Sequence, residues 1–279
     1  MEKVSVIIPC YNSGRTIIET VESIKKQTWS NIDLIIVNDG SDDHLTKKVL
    51  SNLTNARIIN KKNSGLSSAR NEGIKNSKGN FILFLDADDW IEINAISEMM
   101  ECMKKTKANI VFCDTCLEGE SQGVRKRYYN FFEQLFVNHI PYCLLIKKEI
   151  FKKVGNYDEG MKLGYEDWEF NIRLAKNGLF PQRIKQPLFH YRVTKNGMLN
   201  SISKSHHFNI FSYIQRKHKT IYRLTNVFNI YLKWRKKKMN YNILIYILIY
   251  FLSNIFPIKI CNYILGLISR LKFKNYIKL

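Results

Sequence analysis

The sequence predicts an α/β fold: a Rossmann-like open, mostly parallel sheet flanked by helices, with a C-terminal helical extension that is basic and apolar. Three observations carry this. Short apolar runs recur about every 25 residues through the first 90 positions. Segments with helical spacing of apolar residues lie between them, and near-continuous apolar strands are expected where helices cover both faces of a parallel sheet. Each run also ends close to a polar residue, at the edge where open parallel sheets bind ligands.

The first run holds Val4, Val6, Ile7 and Ile8, closes at Pro9 and reads as a buried strand. Residues 14–28 carry Ile17, Ile18, Val21 and Ile24 at helical spacing. Residues 34–37 form a second strand, broken by Asn38, Asp39, Gly40 and Ser41. A helix over 43–53, a strand over 57–59, a helix over 65–76 and a strand over 81–85 follow, the last ending in Asp86. The polar residues at the four strand ends are Asn12, Asp39, Asn63 and Asp86. Residues 90–165 are less regular, with a strand expected over 109–113. A helix over 166–177 and an extended segment over 181–192 complete the first 200 residues.

Charge divides the chain more sharply than periodicity does. Residues 1–169 hold 23 Lys and Arg against 24 Asp and Glu; residues 170–279 hold 21 basic residues and no acid, giving the net +20. Such an asymmetry points to an anionic partner, nucleic acid or a membrane surface. The run 233–238 (Lys-Trp-Arg-Lys-Lys-Lys) precedes an apolar stretch over 243–252, too short for a span of about 20 residues. An interfacial helix with snorkelling lysines fits better, and packing on the catalytic unit is the plainer alternative. Nucleic acid alone would not need the apolar stretch. Met1-Glu2-Lys3 leads directly into a strand-like run, which predicts a cytoplasmic protein whose six cysteines are reduced. Cys113 and Cys116 have metal-like spacing, but no second pair follows and they read as ordinary thiols.

Four motifs could carry chemistry. Asp86, Asp88 and Asp89 follow a buried strand at once; a divalent cation, Mn²⁺ or Mg²⁺, would relieve the repulsion among such hard oxygen donors. A solvated acidic turn is the structural alternative. Asp39 ends a strand and can accept a hydrogen bond from a base or ribose, with Gly40 permitting close backbone approach. The alternative is a helix N-cap at Ser41 or Asp42. Arg70 sits on a helix opened by the loop 63–65 and could hold a phosphate or base edge with its planar fork, or simply be solvated. Glu166 and Asp167 open a helix, where the dipole favours ionised carboxylate, and one of them can serve as general base.

Together, in this order and spacing, the segments 4–12, Asp39-Gly40-Ser41, 65–73, Asp86-Ala87-Asp88-Asp89 and Glu166-Asp167 resemble the family-2 glycosyltransferases of GT-A fold, over about residues 3–195. The resemblance implies a catalytic unit over 1–200, with a nucleotide-sugar half at about 1–115 and an acceptor half at about 116–200, and a membrane-associating extension over 201–279. It implies that Pro9 and Tyr11 border the base, Asp39 hydrogen-bonds it, Arg70 sits at the nucleotide and Asp86 meets the ribose. Asp88 would bind the metal that bridges the diphosphate. Asp167 would be the catalytic base with Glu166 beside it, and His190 would add a metal or phosphate contact. The Gln-x-x-Arg-Trp signature of processive members is missing, since Trp234 precedes Arg235 in reverse order, which implies transfer of a single sugar.

The expected reaction is one in-line displacement that inverts the anomeric carbon, moving a hexosyl or N-acetylhexosaminyl group from a uridine diphosphate sugar. The expected acceptor is a lipid-linked or other oligosaccharide in surface polysaccharide assembly, met at the inner face of a bacterial membrane. No nucleic-acid partner is expected, and the aromatic tail could equally form an oligomer interface. A nucleotidyltransferase is the second reading. It would want a glycine-rich phosphate loop after the first strand, which residues 9–14 do not supply.

Overall fold

The structure, a computed structural model, describes residues 1–195, 197, 206–255 and 260. Its centre is β1 (Val4–Cys10), buried at all seven positions. Parallel neighbours β2 (Ile32–Asp39) and β4 (Phe81–Phe84) flank it, and β3 (Arg57–Lys61) extends the sheet beyond β2. The strand order is β3-β2-β1-β4-β8-β6-β9-β5. From β4 onward the directions mix. β8 (Leu145–Lys147) runs antiparallel to β4 and to β6 (Ile110–Gly119), while β9 (Gln182–Val193) runs parallel to β6. β5 (Trp90–Ile91) lies antiparallel to β9, and β7 (Gly123–Arg125) folds back on β6. This is the mostly parallel α/β sheet that the apolar runs predict.

The helices follow from the same patterns. α1 (Ile17–Lys25) buries Ile17, Thr20, Val21 and Ile24, one face of a 3.6-residue period. α2 (His44–Asn52) is capped by Asp43, which accepts from the Thr46 N–H at 2.8 Å, so the cap lies beyond Ser41 and Asp42. α3 (Leu66–Asn76) rests on β1 through Gly73, where a Cβ would stand 2.3 Å from Ile7 Cγ2. α4 (Ala95–Thr106) buries Ile96, Met99, Met100 and Met103, and α6 (Glu149–Val154) buries Ile150 and Phe151.

A second apolar cluster stands beside the sheet core. It joins α5 (Phe131–Gln134) and α7 (Glu166–Lys176) to α8 (His207–Lys217), α9 (Leu224–Trp234) and α10 (Ile243–Ile255). Trp168 stacks on Phe211 at 5.4 Å, and Tyr246 is wholly buried against Phe132 and Phe136. The extension therefore packs on α5 and α7 along one face. Its other face is apolar and exposed: Leu224, Phe228 and Leu232 on α9, and Leu244, Leu248 and Phe251 on α10. No helix among the described residues is long and apolar enough to cross a membrane. Pro257, Cys261 and the rest of the tail beyond residue 260 lie outside the described residues.

Candidate active site

The turn after β4 is built so that one of its three carboxylates serves the fold. Tyr142 accepts from the Asp86 N–H at 2.8 Å and donates its hydroxyl to Asp89 at 2.6 Å. Asp89 also accepts from the Arg192 N–H at 2.7 Å, and Arg192 Nε donates to the Asp88 carbonyl at 3.0 Å. Asp89 is buried, and burial together with the charges of Asp88 and Asp86 pushes its carboxyl well up. Asp86 and Asp88 stand half-buried beside it, Asp86 accepting from Arg70 at 2.8 Å. Burial and the neighbouring Asp86 charge push Asp88 up to about 6, against the opposing charge of Arg192. Two hard oxygen donors in that state fit Mg²⁺ or Mn²⁺.

Arg70 is placed otherwise than a solvated or freely ligating arginine would be. Its side chain is 1% exposed. One terminal nitrogen donates to Asp86 at 2.8 Å and the other to Glu166 at 2.5 Å. Tyr142 and Tyr157 hold the guanidinium between their rings at 5.1 and 5.4 Å. The fork thus ties the end of β4 to the start of α7 across 96 residues of sequence, instead of standing free for a nucleotide. Gly164 (φ +97°) and Tyr165 (φ +61°) turn the chain through left-handed conformations, which brings Glu166 and Asp167 into the first turn of α7. Asp167 accepts from the Asn138 amide and from the Trp168 N–H, both at 2.8 Å. Burial raises both carboxyls above their ordinary values; Arg70 opposes this in each, and Asn138 opposes it in Asp167.

Asp86, Arg70, Glu166 and Asp167 line one cavity of about 200 Å³. The rest of its wall comes from residues the motifs did not single out, among them Asn138, Tyr142, Arg125, Arg127 and Tyr241. These sit in the irregular stretch 120–144 and in the extension, where no periodic signal marks them.

At the β1–β3 end the residues expected to meet the nucleotide have duties within the fold. Asp39 is buried, accepting from Ser64 N–H at 3.0 Å, Gly65 N–H at 2.7 Å and Lys61 Nζ at 2.6 Å. It organises the β3–α3 loop and keeps a spare lone pair on Oδ2. Gly40 (φ +72°) permits a close backbone approach, and the partner is the chain itself: a Cβ there would stand 2.6 Å from Asn63 N. Pro9 is buried within β1, while Tyr11, just beyond, is 48% exposed and open to stacking.

His190 stands apart from this group. β9 presents Phe189 and Tyr191 to the cavity, and strand alternation turns His190 to the opposite face. There its ring nitrogens meet Glu92 at 2.8 Å and Glu118 at 3.1 Å, and the ring stacks on Trp90. With Cys116 and Glu118 its donor atoms gather within 4.8 Å. Cys116 thus joins a group that its spacing from Cys113 did not reveal.

The Asp-x-Asp turn at the end of the sheet is thus tied through one buried arginine to a carboxylate at the start of α7. The profile of Glycosyl transferase family 2 matches residues 5–169, and the chain belongs to that family. It is 31% identical to the glycosyltransferase RT0329 of Rickettsia typhi over 219 residues, 72% of this chain and 68% of that protein. It is 27% identical to glycosyltransferase GlyA of Streptococcus pneumoniae over 218 residues, 71% of this chain but 31% of the relative's length. Among solved structures, S. aureus TarS 1–349 in complex with UDP-GlcNAc superposes with a TM-score of 0.64 at 17% identity, covering 85% of this chain and 76% of the other. The nucleotidyltransferase and nucleic-acid readings are set aside by this family membership.

Proposed function

We propose that the protein is an inverting, non-processive glycosyltransferase that moves one sugar from a uridine diphosphate sugar to the hydroxyl of a lipid-linked or oligosaccharide acceptor. One observation carries the reading: the Arg70 fork joins Asp86, at the nucleotide end, to Glu166, next to the base Asp167. Donor and acceptor chemistry are thereby held in one rigid frame. The choice of uridine is supported by TarS, whose structures hold UDP and UDP-GlcNAc.

In this mechanism Tyr11 stacks on the base, Asp39 accepts from it through Oδ2, and Asp86 accepts from the ribose. Asp88, with Asp86 beside it, would hold a divalent cation. Such a cation supplies electrostatic stabilisation of the diphosphate as it leaves. Asp167 accepts the proton of the acceptor hydroxyl as the hydroxyl attacks the anomeric carbon. Asn138 and the Trp168 N–H orient Asp167, and Glu166 fixes the arginine that faces it. A single displacement needs no covalent enzyme intermediate and inverts the anomeric centre. His190, turned away from the cavity, is given no part in these steps.

The described part of the 201–279 extension supports contact with an anionic membrane surface, peripheral to the inner leaflet. Its apolar faces on α9 and α10 stand beside the exposed run Arg235, Lys236, Lys237 and Lys238. The test of the catalytic reading is calorimetric titration of uridine, guanosine, thymidine, cytidine and adenosine diphosphates with and without Mn²⁺. Metal-dependent binding of uridine diphosphate, weakened in Asp88→Ala, is expected. A folded protein that binds none of them would overturn the reading.

A further inference from the structure

Two arginines in the catalytic cavity have no carboxylate to answer them. Arg125 ends β7, and Arg127 follows it and lies against the Tyr241 ring at 5.5 Å. Neither forms an ion pair among the described residues, although the other buried or half-buried arginines here do: Arg57 with Asp33, Arg70 with Asp86 and Glu166, Arg173 with Glu169, Arg183 with Asp114, Arg192 with Glu19. The masked segments cannot supply the missing partner from a side chain, because the sequence has no Asp or Glu beyond Glu169. Burial, and next to it the charge of Arg127, lower the Arg125 guanidinium from its ordinary value. An internal counter-charge is absent where the fold elsewhere provides one.

Their position indicates what would approach them. Arg125, Arg127 and Tyr241 line the catalytic cavity and also a second, outer cavity of about 550 Å³. The outer cavity is completed by Lys126 and by the loop 239–242 between α9 and α10. That loop follows directly on the exposed basic run 235–238. Glu133, wholly buried, holds it in place by accepting from the Asn240 and Tyr241 N–H groups and from the Tyr246 hydroxyl. A path therefore leads from a basic rim, past two unpaired arginines, to Asp167. It lies on the β6–β7 side of the sheet, whereas Asp39, Tyr11 and Lys61 lie at the β1–β3 side.

We propose that this path admits the acceptor and that Arg125 and Arg127 bind a phosphate group that the acceptor carries near its reacting hydroxyl. The proposal rests on the glycosyltransferase reading above and narrows its acceptor to anionic ones. Guanidinium forks match phosphate oxygens by paired hydrogen bonds, and the half-buried setting strengthens each. A phosphate at this point would place the hydroxyl for Asp167 and would reject neutral glycans of the same shape, since they would leave two half-buried cations unanswered.

The experiment uses the full chain saturated with uridine diphosphate and Mn²⁺, so that the donor end is filled. Binding of glycerol 3-phosphate, decyl phosphate and the neutral decyl glucoside is then measured by calorimetry. Phosphate-bearing probes should bind, and Arg125→Gln and Arg127→Gln should each weaken them by about tenfold. Arg127→Lys should recover part of the loss, and the glucoside should not distinguish the variants. Binding of glycerol 3-phosphate would assign the site to a phosphodiester-type acceptor; binding of decyl phosphate alone would assign it to a lipid phosphate. Equal phosphate affinity in wild type and variants overturns the proposal. So does loss of uridine diphosphate binding in the arginine variants, which would give the arginines to the donor. Failure of wild type to take up the nucleotide at the outset would instead sink the glycosyltransferase mechanism.

Discussion

At the scale of single residues, the site works by separating the carboxylates into duties. Asp89 belongs to Tyr142 and Arg192, Glu166 to Arg70, and Asp167 to Asn138. Asp167→Asn keeps the size and one of the two accepted hydrogen bonds but cannot take a proton. Transfer should fall by about 10²–10⁴-fold with nucleotide affinity unchanged, which single-turnover assays and calorimetry would read together. The raised Asp167 carboxyl also shapes the pH profile. A base acts only when ionised, so activity should decline on acidification through a value above the usual aspartate range. Asn138 stabilises the ionised form, so Asn138→Ala should move that acidic limb of kcat/KM to higher pH, with activity regained as pH rises. An unmoved limb in this variant would mean that another group limits the rate. The motif residues were legible because strand ends and helix starts mark them. Asn138 and Tyr142 were not, because they act from an irregular segment as partners of partners.

Among the elements, α3 shows how a local choice sets the site. Gly73 lets the helix lie against β1, and Arg70 points from the same helix into the cavity. Gly73→Ala should cost about 1–3 kcal/mol in chemical denaturation, because the Ile7 side chain must yield or the helix must lift. It should also weaken nucleotide-dependent turnover, as the Arg70 fork loses its register with Asp86 and Glu166. The parallel strands and the helices between them were legible because apolar runs and 3.6-residue periods are local signals. The order of β8, β6, β9 and β5 was not, since it arises from antiparallel and crossover pairing between distant segments. The face that His190 occupies was lost for the same reason. Alternation along a strand can be read from sequence, but which side holds the cavity depends on what pairs with it.

For the molecule as a whole, the extension combines packing with exposure. Glu169, buried between Arg173, Lys217 and His218, fastens α8 to α7, and Tyr246 and Leu252 plant α10 in the second core. Helical character and basicity were visible in the sequence; the share of α10 that faces inward was not, because the stretch is apolar all round. The outward residues make the membrane reading testable without disturbing that core. The paired change Leu248→Glu and Phe251→Glu should abolish co-flotation with vesicles containing anionic phospholipid, while uridine diphosphate binding stays as in wild type. Retained flotation would place the membrane contact elsewhere.

The loop that Glu133 holds has a consequence for how the enzyme comes into being. Its residues 239–242 close the outer cavity, yet β1–β4 and the Asp86–Asp89 turn, with the Arg192 that supports it, are complete by residue 193. During synthesis the donor end can therefore assemble well before the acceptor path exists. A nascent chain, or one cut between α8 and α9, would hold nucleotide without a wall to seat the second substrate. Transfer would start only once residue 242 has cleared the ribosome and docked on α5, so that late emergence of this loop acts as a timer on activity.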